Sequence, residues 1–364
     1  MIVDDLARTR ASVLLTGASG FLAAHVGQQL LQRGFRVRGT VRSQAKGEYL
    51  KKLYEKDGKA DQFDFVIVED VEQEGAFDKA VKGVDAVAHT ASPFHFNVTD
   101  PQKDLINPAV QKKESDSFAR GLNQGYIERR AFGSARTQDQ ARRHHVILRG
   151  RDQPPYDPVY TFTEEDWNEF SPKELEKGND CDPFHSCRAS KTLAKRAAWD
   201  FLKENTKDGK APFDIATINF RELNIHSAKS LNTSVGVFYS YLLGDKTSED
   251  ATKPAGLLVD VRDVALAHIL ALEKEETGGK RFLISKKEFV YQDILDLLEG
   301  SEQGKKWLSE FPKATKSGKG DVKGVKQNLI DTTRMETVLG LKSRSVEETV
   351  LDMTRSLAER QKEW

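Results

Sequence analysis

The stretch SVLLTGASGFLA, residues 12–23, decides the fold. An apolar run ends at Thr16, a turn with Gly17 and Gly20 follows, and an amphipathic helix pattern begins next. Gly17 can take the positive φ that closes the turn, and Gly20 leaves the backbone open to a pyrophosphate. The helix start then offers free N–H groups and a positive dipole end to phosphates. The order of strand, glycine turn and helix predicts the first unit of a dinucleotide-binding domain.

The glycine spacing of this turn, Gly17-x-x-Gly20-x-x-Ala23, differs from the usual G-x-G-x-x-G. An ordinary turn between a strand and a helix of a doubly wound protein is the alternative interpretation. Ala23 is small enough to let the helix pack close to the strand. From this segment we predict cofactor contacts at Thr16, Gly17, Gly20, Phe21 and Leu22.

The second predicted strand, residues 35–41, indicates which dinucleotide binds. A site that prefers NAD places Asp or Glu at the end of this strand, where the carboxylate accepts from the ribose hydroxyls. Here Arg42 and Lys46 follow the strand, and no acidic residue stands between them. Cations at a helix start are unfavourable beside the dipole, and an anionic 2′-phosphate would explain them. We therefore predict NADPH/NADP as the cofactor, with two solvated surface cations as the alternative.

The composition excludes several classes of protein. Since 56 Lys and Arg balance 56 Asp and Glu, bulk electrostatics recruits neither nucleic acid nor a membrane surface. No apolar run reaches the length of a membrane span, and the first residues do not resemble a signal peptide. Two cysteines are too few for a disulfide framework, and the eight His residues show no metal-ligand spacing. We expect a cytoplasmic protein that binds no metal.

Strand and helix patterns continue to alternate along the chain. We predict a strand at 63–68, a helix at 76–81 and another strand at 84–89. This alternation predicts an α/β fold with a doubly wound, mostly parallel Rossmann sheet, in which ligands bind beyond the carboxyl ends of the strands. Five residues that follow two of these strands are therefore predicted to lie near the adenine and ribose: Asp70, Val71, Thr90, Ala91 and Ser92. The alternative is that they are ordinary turn residues.

The chain resembles the extended short-chain dehydrogenases/reductases of the NAD-dependent epimerase/dehydratase superfamily. Within that group it is most similar to fungal NADPH-dependent methylglyoxal and ketone reductases, which are related to plant dihydroflavonol reductases. The resemblance implies an oxidoreductase that reduces a small-molecule carbonyl substrate, an aldehyde or ketone, by hydride transfer from NADPH. The matching segments keep the family order: TGASGFLAAHV (16–26), RSQAK (42–46), HTASPFHFNVTDPQKDLINPAV (89–110), YTFTEEDWNEFSP (160–172), RASKTLAKRAAWDFLKEN (188–205), LVDVRDVALAHILALEK (258–274) and VLGLKSRSVEETVLDMTRSLAE (338–359).

The resemblance also implies a catalytic pair, and this chain departs from it. The family uses Tyr-x-x-x-Lys on a long helix, in which the Lys lowers the Tyr pKa and holds the nicotinamide ribose. Lys191 stands at the lysine position, but Cys187 stands at the tyrosine position. A thiol beside a cation can donate a proton, yet its side chain is shorter by a whole ring. The alternative for Cys187 is a small buried residue on a helix face.

Two other segments differ from the family pattern. Residues 111–155 are Arg-rich and poor in apolar residues where the family has a helix and a strand ending in Thr-Ser-Ser. Within them only residues 145–149 are predicted as a strand. We interpret the segment as out-of-frame or mis-spliced translation; an insertion or a basic RNA-binding arm is the alternative. Residues 220–226 lack the prolines and glycine of the family's nicotinamide loop.

Because of these departures, the sequence supports more than one functional prediction. We predict a dinucleotide-binding domain from residues 1–222 with 258–283, and a smaller C-terminal substrate lobe from 223–257 with 284–364. Asp263 is predicted as a structural helix N-cap. The predicted function is NADPH-dependent reduction of an aldehyde or ketone to an alcohol, impaired in this chain. The alternative is a non-catalytic dinucleotide-binding protein or an inactive damaged gene product; an epimerase or dehydratase of the same fold is a third option.

Overall fold

The fold is described from a computed structural model of the chain. It describes residues 11–71, 73, 75–91, 141–145, 159–206, 214–219, 233–318, 322 and 329–363, with the backbone alone for a few of them, including 141–145 and Cys187. None of the described helices is long and apolar enough to cross a membrane.

The sheet that carries the site has seven strands in the order β3-β2-β1-β4-β5-β7-β9. The pairs within β3 to β7 are all parallel, and β1 aligns Leu14 with Arg38 on one side and with Val87 on the other. A parallel order that reverses at β1 confirms the doubly wound α/β fold. The strands are β1 (Ser12–Thr16), β2 (Arg36–Val41), β3 (Phe63–Ile67), β4 (Ala86–His89), β5 (Ala141–His145), β6 (Thr161–Phe162), β7 (Asp214–Asn219), β8 (Pro254–Leu258), β9 (Arg281–Leu283), β10 (Lys287–Val290) and β11 (Leu329–Ile330).

The described helices alternate with these strands in the first part of the chain. The glycine turn ends where α1 begins, and the predicted cations Arg42 and Lys46 flank the start of α2. The helices are α1 (Phe21–Gln32), α2 (Gln44–Glu55), α3 (Phe170–Glu174), α4 (Pro183–Glu204), α5 (Thr233–Leu242), α6 (Ser248–Ala251), α7 (Val261–Glu273), α8 (Tyr291–Gly300), α9 (Glu302–Leu308) and α10 (Val346–Arg360).

The described residues fall into two compact units. One comprises those within Met1–Leu148, Trp167–Asn219 and Ala265–Phe282, and the other those within Arg149–Asp166, Phe220–Val264 and Leu283–Trp364. The first unit holds the sheet, whose buried β1 residues pack with a cluster around Phe77. The second unit has its own aromatic core, in which Tyr291 stacks on Tyr241 with ring centroids 4.3 Å apart. Each unit therefore buries its own apolar cluster.

The predicted helix at 76–81 is wrong, because these residues form successive turns. Gly75 and Gly83 have φ of 74° and 72°, a left-handed conformation that ends helices. The stretch between them is too short for a stable helix and keeps one four-residue hydrogen bond, from Val81 N to Phe77 O at 2.9 Å. The apolar pattern that suggested a helix instead buries Phe77 and Val81 completely.

Strand β5 lies earlier than predicted. It comprises Ala141–His145 and overlaps the predicted strand, residues 145–149, only at His145; residues 146–149 lie outside the described part of the chain. Its backbone pairs with β4 on one side and β7 on the other, which makes it an interior strand of the sheet. The prediction failed because it searched for apolar side chains, whereas a strand ladder is made by backbone N–H and C=O groups.

Asp263 is not an N-cap, because α7 begins two residues earlier at Val261. The carboxylate of Asp260 accepts from Arg262 N at 2.8 Å and so satisfies one of the free donors at the helix start. Asp263 is buried in the first turn, where its carboxylate accepts from Arg344 N at 2.7 Å and pairs with the Arg344 guanidinium. Its role is structural, as predicted, but through an ion pair within the second unit.

Candidate functional site

The glycine turn after β1 has the conformation that its sequence requires. Gly17 has φ of 64°, and a Cβ there would lie 3.1 Å from the Cα of Ala91. Its N–H donates to the Thr40 hydroxyl at 2.9 Å, and Gly20 N donates to Gly17 O at 2.7 Å. A Cβ at Gly20 would lie 3.0 Å from that same carbonyl oxygen. The turn therefore needs small residues at both positions, and it leaves its backbone open to a ligand.

Thr16 connects the carboxyl ends of β1 and β4. Its side chain is fully buried, and its hydroxyl lies 3.0 Å from His89 Nδ1. The same oxygen accepts from the backbone N–H groups of Thr90 and Ala91, each at 3.0 Å. Since both lone pairs are used by these donors, the hydroxyl proton points to His89. Thr16 thus holds the Thr90–Ala91 segment in place beside the glycine turn.

The start of helix α1 has no side-chain cap. Gly20 is the N-cap residue and has no side chain to accept from the first turn, and no acidic residue lies in that turn. The Phe21 ring contacts the His25 ring at a tilt of 55°, with ring centroids 4.7 Å apart, and Leu22 is buried, so both side chains pack within the protein. What Phe21 and Leu22 offer to a ligand is the backbone at a positive helix end, which suits a pyrophosphate.

Arg42 and Lys46 lie at the carboxyl end of β2, as predicted. Both side chains are exposed, and neither has an ion-pair partner among the residues that the structure describes. Ser43 is the N-cap of α2 and makes no capping hydrogen bond through its side chain, and the first turn contains no acid. Two cations at an uncapped helix start are therefore available to an anionic group.

The residues after β3 and β4 lie at the same edge of the sheet. Asp70 is exposed, Val71 packs partly buried against the Phe77 cluster, and Thr90 and Ala91 are half-buried. Ser92 lies outside the described residues. The structure brings Gly17 and Ala91 into contact, and the roles of these residues toward a cofactor stay predictions.

Helix α4 carries the predicted catalytic positions. Lys191 is buried, with 7% of its surface exposed, and Ser190 beside it has 1% exposed. Cys187 lies one turn before Lys191 on the same helix, and its side chain is not among those described. Residues 111–140, 146–155 and 220–226 also lie outside the description. The assignment of a proton donor therefore stays a prediction based on the resemblance.

The comparisons with known proteins agree with this geometry. The NAD(P)H-binding domain family matches residues 17–118. The putative NADPH-dependent methylglyoxal reductase GRP2 of Candida albicans is 33% identical over 93% of this chain and 97% of its own length. The NADPH-dependent methylglyoxal reductase GRE2 of Saccharomyces cerevisiae is 32% identical over 94% of this chain and 96% of its own. The chain belongs to the methylglyoxal reductase family of extended short-chain dehydrogenases/reductases.

The solved structures agree with this membership. Gre2 of Candida albicans, determined in complex with NADPH, aligns over 96% of this chain and 99% of its own, with a TM-score of 0.79 and 31% identity. The predicted family, the Rossmann fold and the NAD(P)H-binding domain are thereby confirmed. Both similarities extend over more than nine-tenths of this chain.

Sequence reasoning missed a buried cation on α4. Lys195, with 4% of its surface exposed, donates from Nζ to Asn219 Oδ1 at 3.2 Å. Its Nζ also lies 4.7 Å from the ring centroid of Trp167, a distance at which a cation and an aromatic face attract. The available signal was the four-residue spacing from Lys191, which places both lysines on one face of the helix.

No metal centre is visible in the described part of the chain. There, no three His, Cys, Asp or Glu side chains converge in a way that would hold an ion. The candidate site therefore consists of the glycine turn, the two exposed cations and the buried lysines of α4.

Proposed function

We propose that the protein binds NADPH and reduces a small aldehyde or ketone to the alcohol. The observation that carries this proposal is the pair Arg42 and Lys46, which stands exposed and without a described acidic partner at the end of β2. A 2′-phosphate would satisfy both cations, whereas the ribose hydroxyls of NADH would leave them without a partner. The full-length similarity to NADPH-dependent methylglyoxal reductases supports the same cofactor.

The residues present fit a dinucleotide. At Gly17 and Gly20 a Cβ would meet backbone atoms at 3.1 and 3.0 Å, a tight contact that favours glycine where the backbone must approach the pyrophosphate. The uncapped start of α1 would donate N–H groups to it. Arg42 would form paired hydrogen bonds with the 2′-phosphate, and Lys46 would add a point charge.

The chemistry follows from what each group supplies. When bound, the reduced nicotinamide supplies a hydride to the carbonyl carbon. By the family resemblance, Lys191 holds the nicotinamide ribose and lowers the pKa of the proton donor beside it. Cys187 occupies the donor position, and proton transfer needs contact at about 3 Å or through one water. The thiol ends short of a tyrosine oxygen, so we propose that proton delivery is the impaired step.

Cys187 also supports a second function, a dinucleotide-binding protein without turnover. The two functions share the glycine turn and the cations, and differ only at the proton donor. Calorimetry with NADPH and NADH, followed by NADPH consumption with methylglyoxal and a panel of α-keto esters, separates them. Tight NADPH binding with slow turnover would support the impaired reductase. Binding without turnover would favour the second function. Lack of NADPH binding would overturn the reductase, and lack of binding of either dinucleotide would overturn both functions.

A further inference from the structure

Lys195 is a buried amine surrounded by other cations. Arg281 and Arg196 lie over the same Trp167 ring as Lys195, with their Cζ atoms 4.4 and 5.1 Å from its centroid. Arg196 pairs with Glu169, so that the nearby carboxylate serves Arg196 rather than Lys195. Among the described residues, the charged groups that act on Lys195 are these two arginines, and no carboxylate neutralises it.

The one polar partner of Lys195 is fixed in orientation. Asn219 has 1% of its surface exposed, and its Nδ2 donates to Phe282 O at 3.0 Å. Because Nδ2 is committed to that carbonyl, Oδ1 is the atom that faces Lys195. Asn219 is also the last residue of β7, and the carboxyl ends of the strands carry the ligand site in this fold. Lys195 Nζ therefore lies at the functional edge of the sheet.

The buried position of Lys195 and the neighbouring arginines weaken its hold on a proton. Burial, with Arg281 and Arg196 adding to it, lowers the pKa of Lys195 from 10.5 to about 7. An amine with such a pKa changes its charge near neutral pH. Lys191 lies four residues away on the same helix face, where side chains are neighbours. Protonation of Lys195 therefore adds one positive charge to the helix face that carries Lys191, and loss of the proton removes it.

We propose that Lys195 is a positioning residue of the reductase site, which strengthens the attraction of the Lys191 face for the anionic cofactor while it is protonated and weakens it once the proton is lost. The inference rests on the proposed function, since it is the affinity for NADPH that Lys195 modulates. Lys195 acts through the field at Lys191 and through Asn219, and it does not need to touch the cofactor. At an effective dielectric constant of about 20, a unit charge roughly 12–17 Å from an anionic group changes affinity on the order of fivefold to tenfold.

The first experiment tests the titration without reference to the cofactor. The unfolding equilibria of the wild type and of Lys195→Met are compared by denaturant titration at several pH values. The unfolded lysine binds a proton up to pH 10.5 and the folded one only to about 7, so wild-type stability rises with pH through this window. Relative to Lys195→Met, the folding equilibrium constant of the wild type should increase by up to about tenfold per pH unit. A difference that is constant with pH would overturn the inference.

The second experiment tests the coupling to the site. NADPH dissociation constants are measured from pH 6 to 9, roughly one unit below and two above the pKa of about 7, for wild type, Lys195→Met and Lys195→Arg. Arginine stays charged and methionine uncharged, so the wild type should follow Lys195→Arg at low pH and approach Lys195→Met at high pH. Lys195→Gln is a second uncharged variant, and Lys203→Met, an exposed position on the same helix, is the control.

The two experiments distinguish failure of the inference about Lys195 from failure of the proposed function. If wild type and Lys195→Met show the same pH profile of NADPH binding while the stability titration is present, Lys195 is a structural residue only and the inference is overturned. If no variant binds NADPH at any pH, the proposed function fails and the coupling fails with it. The inference is supported if the wild type binds NADPH like Lys195→Arg at low pH and like Lys195→Met at high pH.

Discussion

Two halves of the same sheet differ in how closely they follow the reductase family. The cofactor half, at the ends of β1, β2 and β4, keeps the glycine turn and has two exposed cations available at the start of α2. The half that we propose to be catalytic, here called the catalytic half, comprises α4 with the ends of β5 and β7 and has a cation cluster around Lys195. By the family resemblance, Cys187 stands there at the tyrosine position. Binding and turnover are therefore expected to separate in this protein.

The difference shows what each half depends on. The cofactor half is built from backbone conformation and from the absence of side chains, as at Gly17, where a Cβ would press on Ala91. The catalytic half depends on which functional group reaches a given point, and replacing one ring by a thiol moves that group by several ångströms on the scale of proton transfer. A fold can persist through changes in the second half that end its chemistry.

The largest expected effect concerns turnover. Loss of a well-placed proton donor costs about 10²–10⁴-fold, so the wild type should turn over that much more slowly than a family member that keeps the tyrosine. Cys187→Ala should then change little, because on the proposal above the thiol ends too far from the reacting oxygen to donate a proton to it. Cys187→Tyr should recover little by itself, since residues 111–155 lack the family's Thr-Ser-Ser strand. The measurement is NADPH consumption with methylglyoxal.

Cys181→Ala provides the matched control for these variants. Cys181 is the other cysteine, is buried, and accepts from the Ser186 hydroxyl at 3.2 Å. It should affect stability without a specific effect on turnover. The contrary result is fast turnover by the wild type that is lost in Cys187→Ala and kept in Cys181→Ala. It would show that the Cys187 thiol donates the proton and that binding and turnover do not separate in this protein.

The same division explains what the sequence could predict. The strand and turn at residues 12–20 were predictable, because the apolar run, the two glycines and the start of the helix pattern all indicate the same structure. The turns at 76–81 were missed because the same apolar spacing suits a helix, and only the left-handed Gly75 and Gly83 exclude it. Strand β5 was misplaced because its pairing uses backbone groups that the sequence does not distinguish.

Lys195 was missed for a different reason. Its burial is set by Trp167, Asn219 and Arg281, which are distant in the chain and meet only in the folded sheet. A lysine on a helix is normally a solvated surface residue, and the spacing from Lys191 shows only that the two lysines share a helix face, not that Lys195 is buried. Local motifs therefore predict the cofactor half, whereas the catalytic half requires the tertiary structure.

The next effect concerns the support of the cofactor half. Thr16→Val keeps the shape but removes the hydroxyl, so the N–H groups of Thr90 and Ala91 and the His89 ring lose this buried partner. We expect a loss of about 2–4 kcal/mol in unfolding free energy. Denaturant unfolding measures it, with Thr16→Ser, which keeps the hydroxyl, as the control. A loss below that of Thr16→Ser would contradict the role assigned to Thr16.

A smaller effect is expected on the choice of cofactor. Arg42→Ala removes the group that would form paired hydrogen bonds with a 2′-phosphate, so NADPH should lose about 1–3 kcal/mol of binding free energy and NADH little. Calorimetry with both cofactors gives the difference directly. Equal affinity of the wild type for NADPH and NADH would show that Arg42 is only a surface cation, and the cofactor half would lose its evidence for NADPH.

The smallest effect separates the two cations of this half. Lys46 is exposed and offers a single mobile ammonium group, which solvent and salt screen, so Lys46→Ala should cost NADPH about 0.3–1 kcal/mol. The binding free energy lost in Lys46→Ala should shrink as salt is added. The loss in Arg42→Ala should persist to higher salt, because the hydrogen bonds of the Arg42 guanidinium are directional. Lys51→Ala, exposed farther along α2, is the control and should change neither cofactor. If Lys46→Ala costs as much as Arg42→Ala, the phosphate is held by net charge, and the paired geometry assigned to Arg42 is wrong.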